Sequence, residues 1–435
     1  MAKVCRPIVE YKEIITSTKI TLDDYKPPKI AIKRFIRLFK DIDDTRLPGM
    51  IDYPLHEILL IAFLSVLGNA STWTDIECFG KKYQRWLKKF LTLENGIPSH
   101  DTFRRVFALI DPKQLEHATV CFLMENMNAI KKSLAIKNTG LKQICIDGKE
   151  ARGSGRKYDT QEKIRNLQTL HIYDASHGIC LFSDIIDEKT NEIPAAQAIL
   201  KTLQLKDTVV TFDALHTQKD TIALIVAGGG DYVGALKGNQ STLESFAKES
   251  FSDAIKKNII EKKTDFYETI EKSHNQIEKR RFYLLKVKQT SKSILEWQKL
   301  KNVLCYEKQM CNVVTGKETL EVRYYMTSLK DVELAADAIR GHWSVENQLH
   351  WHLDYSFSED DDTTMDKNAF ANLSIINKMV LSLCKLVQPL EKGASIRMIR
   401  KGFGWALEDS LAAMLNAFDE NSLIHALENA NNKKK

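Results

Sequence analysis

The sequence predicts an α/β protein: a mixed β-sheet with helices on both faces, placed behind an all-helical N-terminal domain. Three observations predict it. Up to about residue 137 the apolar residues recur at helical spacing. From Gly140 short β-branched runs and helical stretches follow in the order β-β-β-α-β-α-β. Two of those runs, Ile144–Asp147 and Thr208–Phe212, lead into aspartates, Asp147 and Asp213. An antiparallel hairpin followed by parallel crossovers gives a mixed sheet covered on both sides.

Size and composition set the bounds. The 435 residues allow two or three domains and a large core. With 43% hydrophobic and 28% charged residues the chain has the composition of a soluble globular protein. A formal net charge of +6 is a mild excess and does not by itself define a nucleic-acid partner. Eight cysteines are scattered without Cys-x-x-Cys, which reads as reduced thiols rather than disulfides or a zinc site. Met1–Glu10 mixes charge and proline, unlike a secretory leader. The longest apolar run, Ile58–Leu67, is shorter than the ~20 residues that cross a bilayer, so a buried core helix and a cytoplasmic protein are expected.

In the N-terminal segment, residues 1–137, Lys26-Pro27-Pro28-Lys29 reads as a linker or extended arm. Ala31–Phe39 is a short amphipathic helix. Pro54 suits the first turn of the helix carrying the apolar run. Thr74-Asp75-Ile76-Glu77 fits a capping box that opens another, and Tyr83–Leu91 continues it with Trp86, Leu87, Phe90 and Leu91 inward. After the turn at Asn95–Pro98, Ser99 or Asp101 caps a helix with Phe103, Val106, Phe107 and Ile110 on one face. Arg104 and Arg105 lie off that face. They fit entry into a DNA groove, and equally an ordinary solvated face.

Residues 140–240 and 322–390 carry the predicted sheet. Ile144–Asp147 is the first strand. A polar, basic loop follows with Lys149, Arg152, Arg156 and Lys157. Leu167–Tyr173 and Ile179–Ile186 are strands joined by a turn at Asp174–Gly178. Pro194–Leu205 is a helix that Asn191 can cap. Thr208–Phe212, the helix Thr217–Ala227 closed by three glycines, and the strand Tyr232–Leu236 come next. Residues 241–321 interrupt this order with charged helical text and strand-like pieces such as Arg281–Val287 and Val303–Tyr306. Trp297 within them fits a core position or a base-stacking one. Arg323–Thr327 is a last strand, followed by a long helix, Asp331–Leu353. A polar loop follows at Ser358–Asp362; its acids Asp360–Asp362 lack the spacing of a calcium loop and read as solvated. Asn368–Val387 is an amphipathic helix, and residues 391–435 form a helical tail.

The chemistry lies in three acids. In a sheet where their strands are neighbours, Asp147 and Asp213 emerge side by side. Two carboxylates that close repel unless a divalent cation sits between them. Hard oxygen ligands suit Mg²⁺ or Mn²⁺. Glu346, mid-helix beside Trp343 and Leu349, needs a partner if it faces inward. Acids from two strands and one helix are what a two-ion phosphoryl-transfer site requires. Lys149, Arg152, Arg156, Lys157 and Lys237 fall on loops at the same sheet edge, which fits a phosphate backbone. His216 and His342 can orient the site or face DNA, or serve as structural groups. His342, Glu346 and His350 share one helical stripe, but no His-Glu-x-x-His zinc motif is present.

The arrangement resembles the ribonuclease-H-like fold of DDE transposases, and more closely the bacterial insertion-sequence transposases of the ISAs, or H-repeat-associated, type. The residues that carry the resemblance are Ile146-Asp147-Gly148-Lys149, Arg152-Gly153-Ser154, Asp213-Ala214-Leu215-His216-Thr217-Gln218, Lys237-Gly238-Asn239-Gln240 and the run Arg340–Trp351. Gly96–Phe103 matches the family's N-terminal associated domain. The resemblance implies Asp147, Asp213 and Glu346 as a metal-binding triad, and a β-rich insertion before Glu346. The wider group's Tyr-x2-Arg-x3-Glu-x6-Lys pattern has Ile339, His342 and Leu353 at its other positions here, and Glu150 stands where a small polar residue is usual. The function implied is a transposase that cleaves the terminal inverted repeats of its element and joins the 3′ ends to target DNA, working as a homodimer on DNA. A metal nuclease without strand transfer, or a DNA-binding protein derived from a transposase, is the alternative.

Overall fold

The computed structural model describes residues 4–25, 31–136, 140–155, 165–186, 192–256, 266–273, 275–287, 292–417 and 419–432. Six helices come first: α1 (Pro7–Thr18), α2 (Ala31–Lys40), α3 (Leu55–Leu67), α4 (Trp73–Leu87), α5 (His100–Leu109) and α6 (Pro112–Ser133). The apolar run becomes α3, buried along nearly its whole length. Ser99 caps α5, accepting from the Thr102 N–H. The capping box of α4 lies two residues earlier than expected: Thr72 accepts from Asp75 N–H, and the Asp75 carboxylate accepts from the Thr72 N–H. Asp reaches back from the third helical position as Glu does in the expected motif.

Among the described residues the sheet has nine strands. They are β1 (Lys142–Ala151), β2 (Leu167–Asp174), β3 (Ile179–Ile186), β4 (Thr208–Phe212), β5 (Asp231–Leu236), β6 (Phe266–Ser273), β7 (Gln276–Lys286), β8 (Asn302–Asn312) and β9 (Glu318–Thr327). Their spatial order is β3-β2-β1-β4-β5-β9-β8-β7-β6. β1, β4 and β5 are parallel, and the other pairs are antiparallel. The expected mixed α/β class is what is found. The segment before Glu346 does not stand apart: β6–β9 continue the same sheet through β9 beside β5. Trp297 in that segment is a buried core residue.

Strand β1 is longer than expected. Pairing with β4 stops at Ile146↔Phe212, but pairing with β2 runs on to Ala151↔Leu167. Asp147 is therefore inside a strand, at the step where one of its two neighbours ends. Successive side chains of a strand point to opposite faces. Ile144 and Ile146 pack with β4 against α7 (Glu192–Leu200), α8 (Lys219–Ala227) and α9 (Ser241–Lys256). After the short helix α10 (Lys292–Leu295), the opposite face is covered by α11 (Val332–Val345), α12 (Trp351–Phe357) and α13 (Lys367–Val387). The helix expected from Pro194 begins at Glu192; its proposed cap, Asn191, lies outside the described residues.

Helices α14 (Ile396–Trp405), α15 (Leu407–Asn416) and α16 (Glu420–Asn432) complete the chain and share one core with α1–α6 and α13. Arg400 anchors this union. It is fully buried, and its guanidinium donates to the carbonyls of Val66, Ala70 and Ser356. Helix α13 is long and apolar enough to cross a membrane, and its surface is buried inside the protein.

Helix α11 is seated by one close approach. Gln143 Nε2 donates to the Ala338 carbonyl at 2.6 Å, under the helix. A Cβ on Gly341 would stand 1.9 Å from Gln143 Oε1. Gly341→Ala is therefore expected to lift α11 from β1 and cost about 1–3 kcal/mol or more, as overpacking does. Chemical denaturation checks it, and an unchanged midpoint would refute the close packing.

Candidate active site

Helix α11 runs along β1, and the contacts advance together. Ala338 lies over Gln143, and the Gly341 carbonyl over Cys145 Sγ at 3.5 Å. Five residues of helix beyond Gly341 rise roughly 7.5 Å. Two residues of strand beyond Cys145 rise roughly 6.6 Å. Glu346 is thereby delivered to Asp147. At Glu346 the helix widens into a π turn, Glu346–His350, with Trp351 N–H donating to the Glu346 carbonyl. Such single wide turns recur at functional sites. Here it presents Glu346 and His350 to the same point: ligand atoms of Asp147, Glu346 and His350 lie within 4.8 Å of one another.

Asp213 follows the last residue of β4, and the register Ile146↔Phe212 makes it the lateral neighbour of Asp147. Its Oδ1 accepts from the N–H groups of Leu215 and His216, at 3.0 and 3.3 Å, which fixes the turn. Burial, then Asp213 and Glu346, push the Asp147 carboxyl up to about 7; the Gly148 N–H opposes this and Glu192 adds to it. The three expected acids thus share one electrostatic site. The tighter grouping of side-chain atoms contains His350 rather than Asp213.

Two further groups belong here that the sequence reading did not single out. Glu192, at the start of α7, is buried against the backbone of Gly148, where a Cβ would meet its Oε2 at 3.0 Å. His171 pairs across the strands with Asp147 and contacts His350, Nδ1 to Nε2, at 3.1 Å. His350 Nδ1 in turn lies 3.7 Å from Asp147 Oδ2. Burial, followed by nearby cations, takes His350 down to about 3 and lowers His171 as well, so both rings are neutral near pH 7. The i, i+4 spacing of Glu346 and His350 was visible in the sequence; that it converges on Asp147 needed the π turn.

Several expected phosphate contacts are elsewhere. Lys149 is not on a loop. It lies in β1, on the face of Asp147, with its side chain only 6% exposed. Its Nζ is 2.6 Å from Asp354, 3.3 Å from Glu359 and 3.5 Å from Asp360. Burial alone would lower its pKa; Glu359, Asp354 and Asp360 outweigh burial and raise it. The loop expected to be solvated therefore holds this cation, and Gly153 fits closely under the Asp360 and Asp362 carbonyls. His216 is 1% exposed, which leaves no face for a phosphate; its Nε2 is 3.7 Å from Glu192 Oε2, and neither ring nitrogen makes a hydrogen bond. His342 Nδ1 meets Thr211 Oγ1 of β4 at 3.0 Å, and burial takes the ring down to about 4, so it is a neutral group fixed to the sheet. Arg152 and Lys237 are exposed at the ends of β1 and β5. Arg104 and Arg105 are exposed on α5, beside Asp101. Arg156 and Lys157 lie outside the described residues.

The fold and this cluster define a class: an α/β protein with crowded carboxylates where parallel strands end beneath a helix. The chain belongs to the DDE transposase family. The "Transposase DDE domain" model matches residues 138–383, and "DDE_Tnp_1-associated" matches residues 36–123. Among relatives, "H repeat-associated putative transposase YhhI" of Escherichia coli (strain K12) is 31% identical over 81% of this chain and 91% of its own. "Putative transposase YncI" of Escherichia coli O157:H7 is 31% identical over 84% and 90%. A structure of a piggyBac transposase synaptic complex with hairpin DNA aligns over 94% of this chain and 81% of its own at a TM-score of 0.36 and 12% identity, too distant a likeness to establish a shared fold.

Two outcomes are expected. First, folded Asp147 holds a proton up to pH of about 7, whereas the unfolded carboxyl releases it near ~3.9. Between those values the folded state binds more protons, so metal-free protein loses stability as pH rises. Melting in EDTA should fall across that window, and less steeply in Asp147→Asn; equal slopes would contradict the crowding. Second, Lys149→Met leaves three carboxylates without their cation and should cost about 3–5 kcal/mol by denaturation.

Proposed function

We propose that this chain is a metal-dependent DNA transposase that cleaves the ends of an insertion sequence and joins them to a target. The observation that carries the reading is the convergence of Asp147 and Glu346 beside Asp213, three acids far apart in the chain. Their donor set fits a divalent cation: hard oxygens suit Mg²⁺ or Mn²⁺. The raised Asp147 is what burial, with two acids crowded beside it, produces. Asp147, Asp213 and Glu346 would hold one or two such ions, with His350 at the margin. Bound there, the ions would supply positive charge to the phosphate oxygens and an acidified water.

The chain's own residues supply the rest. Asp213, locked by its turn, and Asp147, held in a strand, present their oxygens from stiff elements, as a precise site needs. His350 lies between Asp147 and His171, 3.7 Å from the carboxylate and 3.1 Å from the His171 ring nitrogen. Neutral His342 fixes α11 to β4 and adds no charge that would compete for the acids. Hydrolysis of a phosphodiester frees a 3′ hydroxyl, which then attacks a second phosphodiester and displaces its bridging oxygen. The order β3-β2-β1-β4-β5, with β1 parallel to β4, supports a ribonuclease-H-like core. Arg152 and Lys237, exposed at the rim, are suited to the DNA backbone of terminal repeats and target. Because paired ends are processed together, a homodimer on DNA is part of the reading.

Asp213→Asn should lower Mg²⁺-dependent cleavage of end-bearing DNA at least about 100-fold, the upper range for losing even an outer partner of a metal ligand. Affinity for the same DNA in EDTA should be unchanged. Wild-type cleavage by the variant would reject the reading, and cleavage without joining of pre-cut 3′ ends would reduce it to a nuclease.

A further inference from the structure

A cavity of about 260 Å³ lies between α1, the β2–β3 turn, α11 and α13. Four cationic side chains line it: Arg6, Lys12, Arg340 and Lys385. Arg340 is paired with Glu271 of β6. Among the described residues no carboxylate pairs with the other three. Arg6 donates to the Asp337 carbonyl at 2.6 Å. Lys385 is 4% exposed, and its Nζ reaches the Tyr173 hydroxyl at 3.2 Å. The nearby Asp174 is turned to another partner, His177, at 2.7 Å.

Buried cations without a counter-charge are costly. Burial, then Lys12, push Lys385 down to about 7, and burial lowers Lys12. His352 nearby is taken to about 4 by burial, then by Lys385 and Lys12. An anion in the cavity would relieve all of these at once. The space is below the ~300–1,000 Å³ of clefts for drug-sized ligands and suits a small oxyanion. Ser344 and Gln348 add polar groups to its wall. The cavity is distinct from the acidic site: none of Asp147, Asp213, Glu346 and His350 lines it. Gly341, Ser344 and Gln348 face the cavity, while Glu346 and His350 face Asp147.

We propose that this cavity is a phosphate pocket, and that the phosphate it takes is a phosphodiester of the DNA backbone held outside the acidic site. The DNA source rests on the transposase reading; the oxyanion pocket does not.

The test uses the full chain in EDTA, with Lys385→Met, which keeps the length of the buried side chain, and Lys12→Met as a second variant. In the first arm, inorganic phosphate should raise the melting temperature of wild type above potassium chloride of equal ionic strength, and should do so less in either variant. Equal rises in wild type and both variants overturn the pocket. In the second arm, affinity for a duplex oligonucleotide is followed against salt. Losing one phosphate contact should reduce the slope of log affinity on log salt by about 0.9 in the variants. A phosphate response that depends on Lys385 together with an unchanged slope overturns the DNA source and assigns the pocket to free phosphate. Wild type that fails to bind DNA defeats the transposase reading, and the first arm still decides the pocket.

Discussion

The structure depends on one long contact, the laying of β1 beneath the helical run from α11 to the loop after α12. Every second residue of the strand meets it in turn. Gln143 takes the Ala338 carbonyl, Cys145 meets Gly341, and Asp147 meets Glu346 and His350. Lys149 meets Asp354, and just beyond the strand the Arg152 N–H donates to Asp360. Strand and helix advance at different rates per residue, so the match holds over this length only because the helix widens once, at Glu346–His350. Without the buried glutamine and the glycine above it there is no close approach at the start. The glutamate would then have no fixed relation to the aspartate.

Charge follows the same axis. Acids are concentrated where β4 has stopped and β1 continues, so the two aspartates have no strand between them. That end of the sheet also receives Glu192 from the opposite layer. Such crowding is unfavourable in the folded chain alone, and it persists because the strands and turns that impose it are held by a large core. Two residues along β1, the sign reverses: Lys149 gathers three carboxylates into a buried cluster. That cluster holds the loop after α12 against the end of β1. It supports the site structurally and is closed to a phosphate.

Much of this was legible in the sequence. The strands and most helices are strongly periodic, and Asp147 and Asp213 declare themselves because an acid closing a β-branched run is conspicuous. Ser99 was a correct cap because its Ser-x-x pattern is local. What was not legible depends on long-range geometry. The sequence cannot show that β1 outlasts β4, so Lys149 reads as a loop residue when it is a buried strand residue. His216 looks exposed at a helix start, yet α7 and the sheet enclose it. Glu192 has no local pattern at all. The segment 241–321 reads as an interruption because its strands pair only with one another and with β9, and edge pairing carries no sequence signal of its own.

Helix α11 and the π turn after it carry residues of both an acidic and a basic site. Glu346 and His350 join oxygen donors that repel one another, and Arg340, Gly341, Ser344 and Gln348 line a cavity with cations of which Arg340 alone has a carboxylate partner among the described residues. Were the two sets in contact, they would neutralise each other, as Lys149 and its three acids do further along. A carboxylate already paired with a lysine is a poor ligand for a divalent ion, and a lysine already paired is a poor ligand for a phosphate. Keeping them apart leaves both able to bind something from outside. Gly341 lets the helix approach Gln143 of β1 closely and also lines the basic cavity. The same glycine that seats Glu346 over Asp147 therefore places the acidic and basic sites near each other.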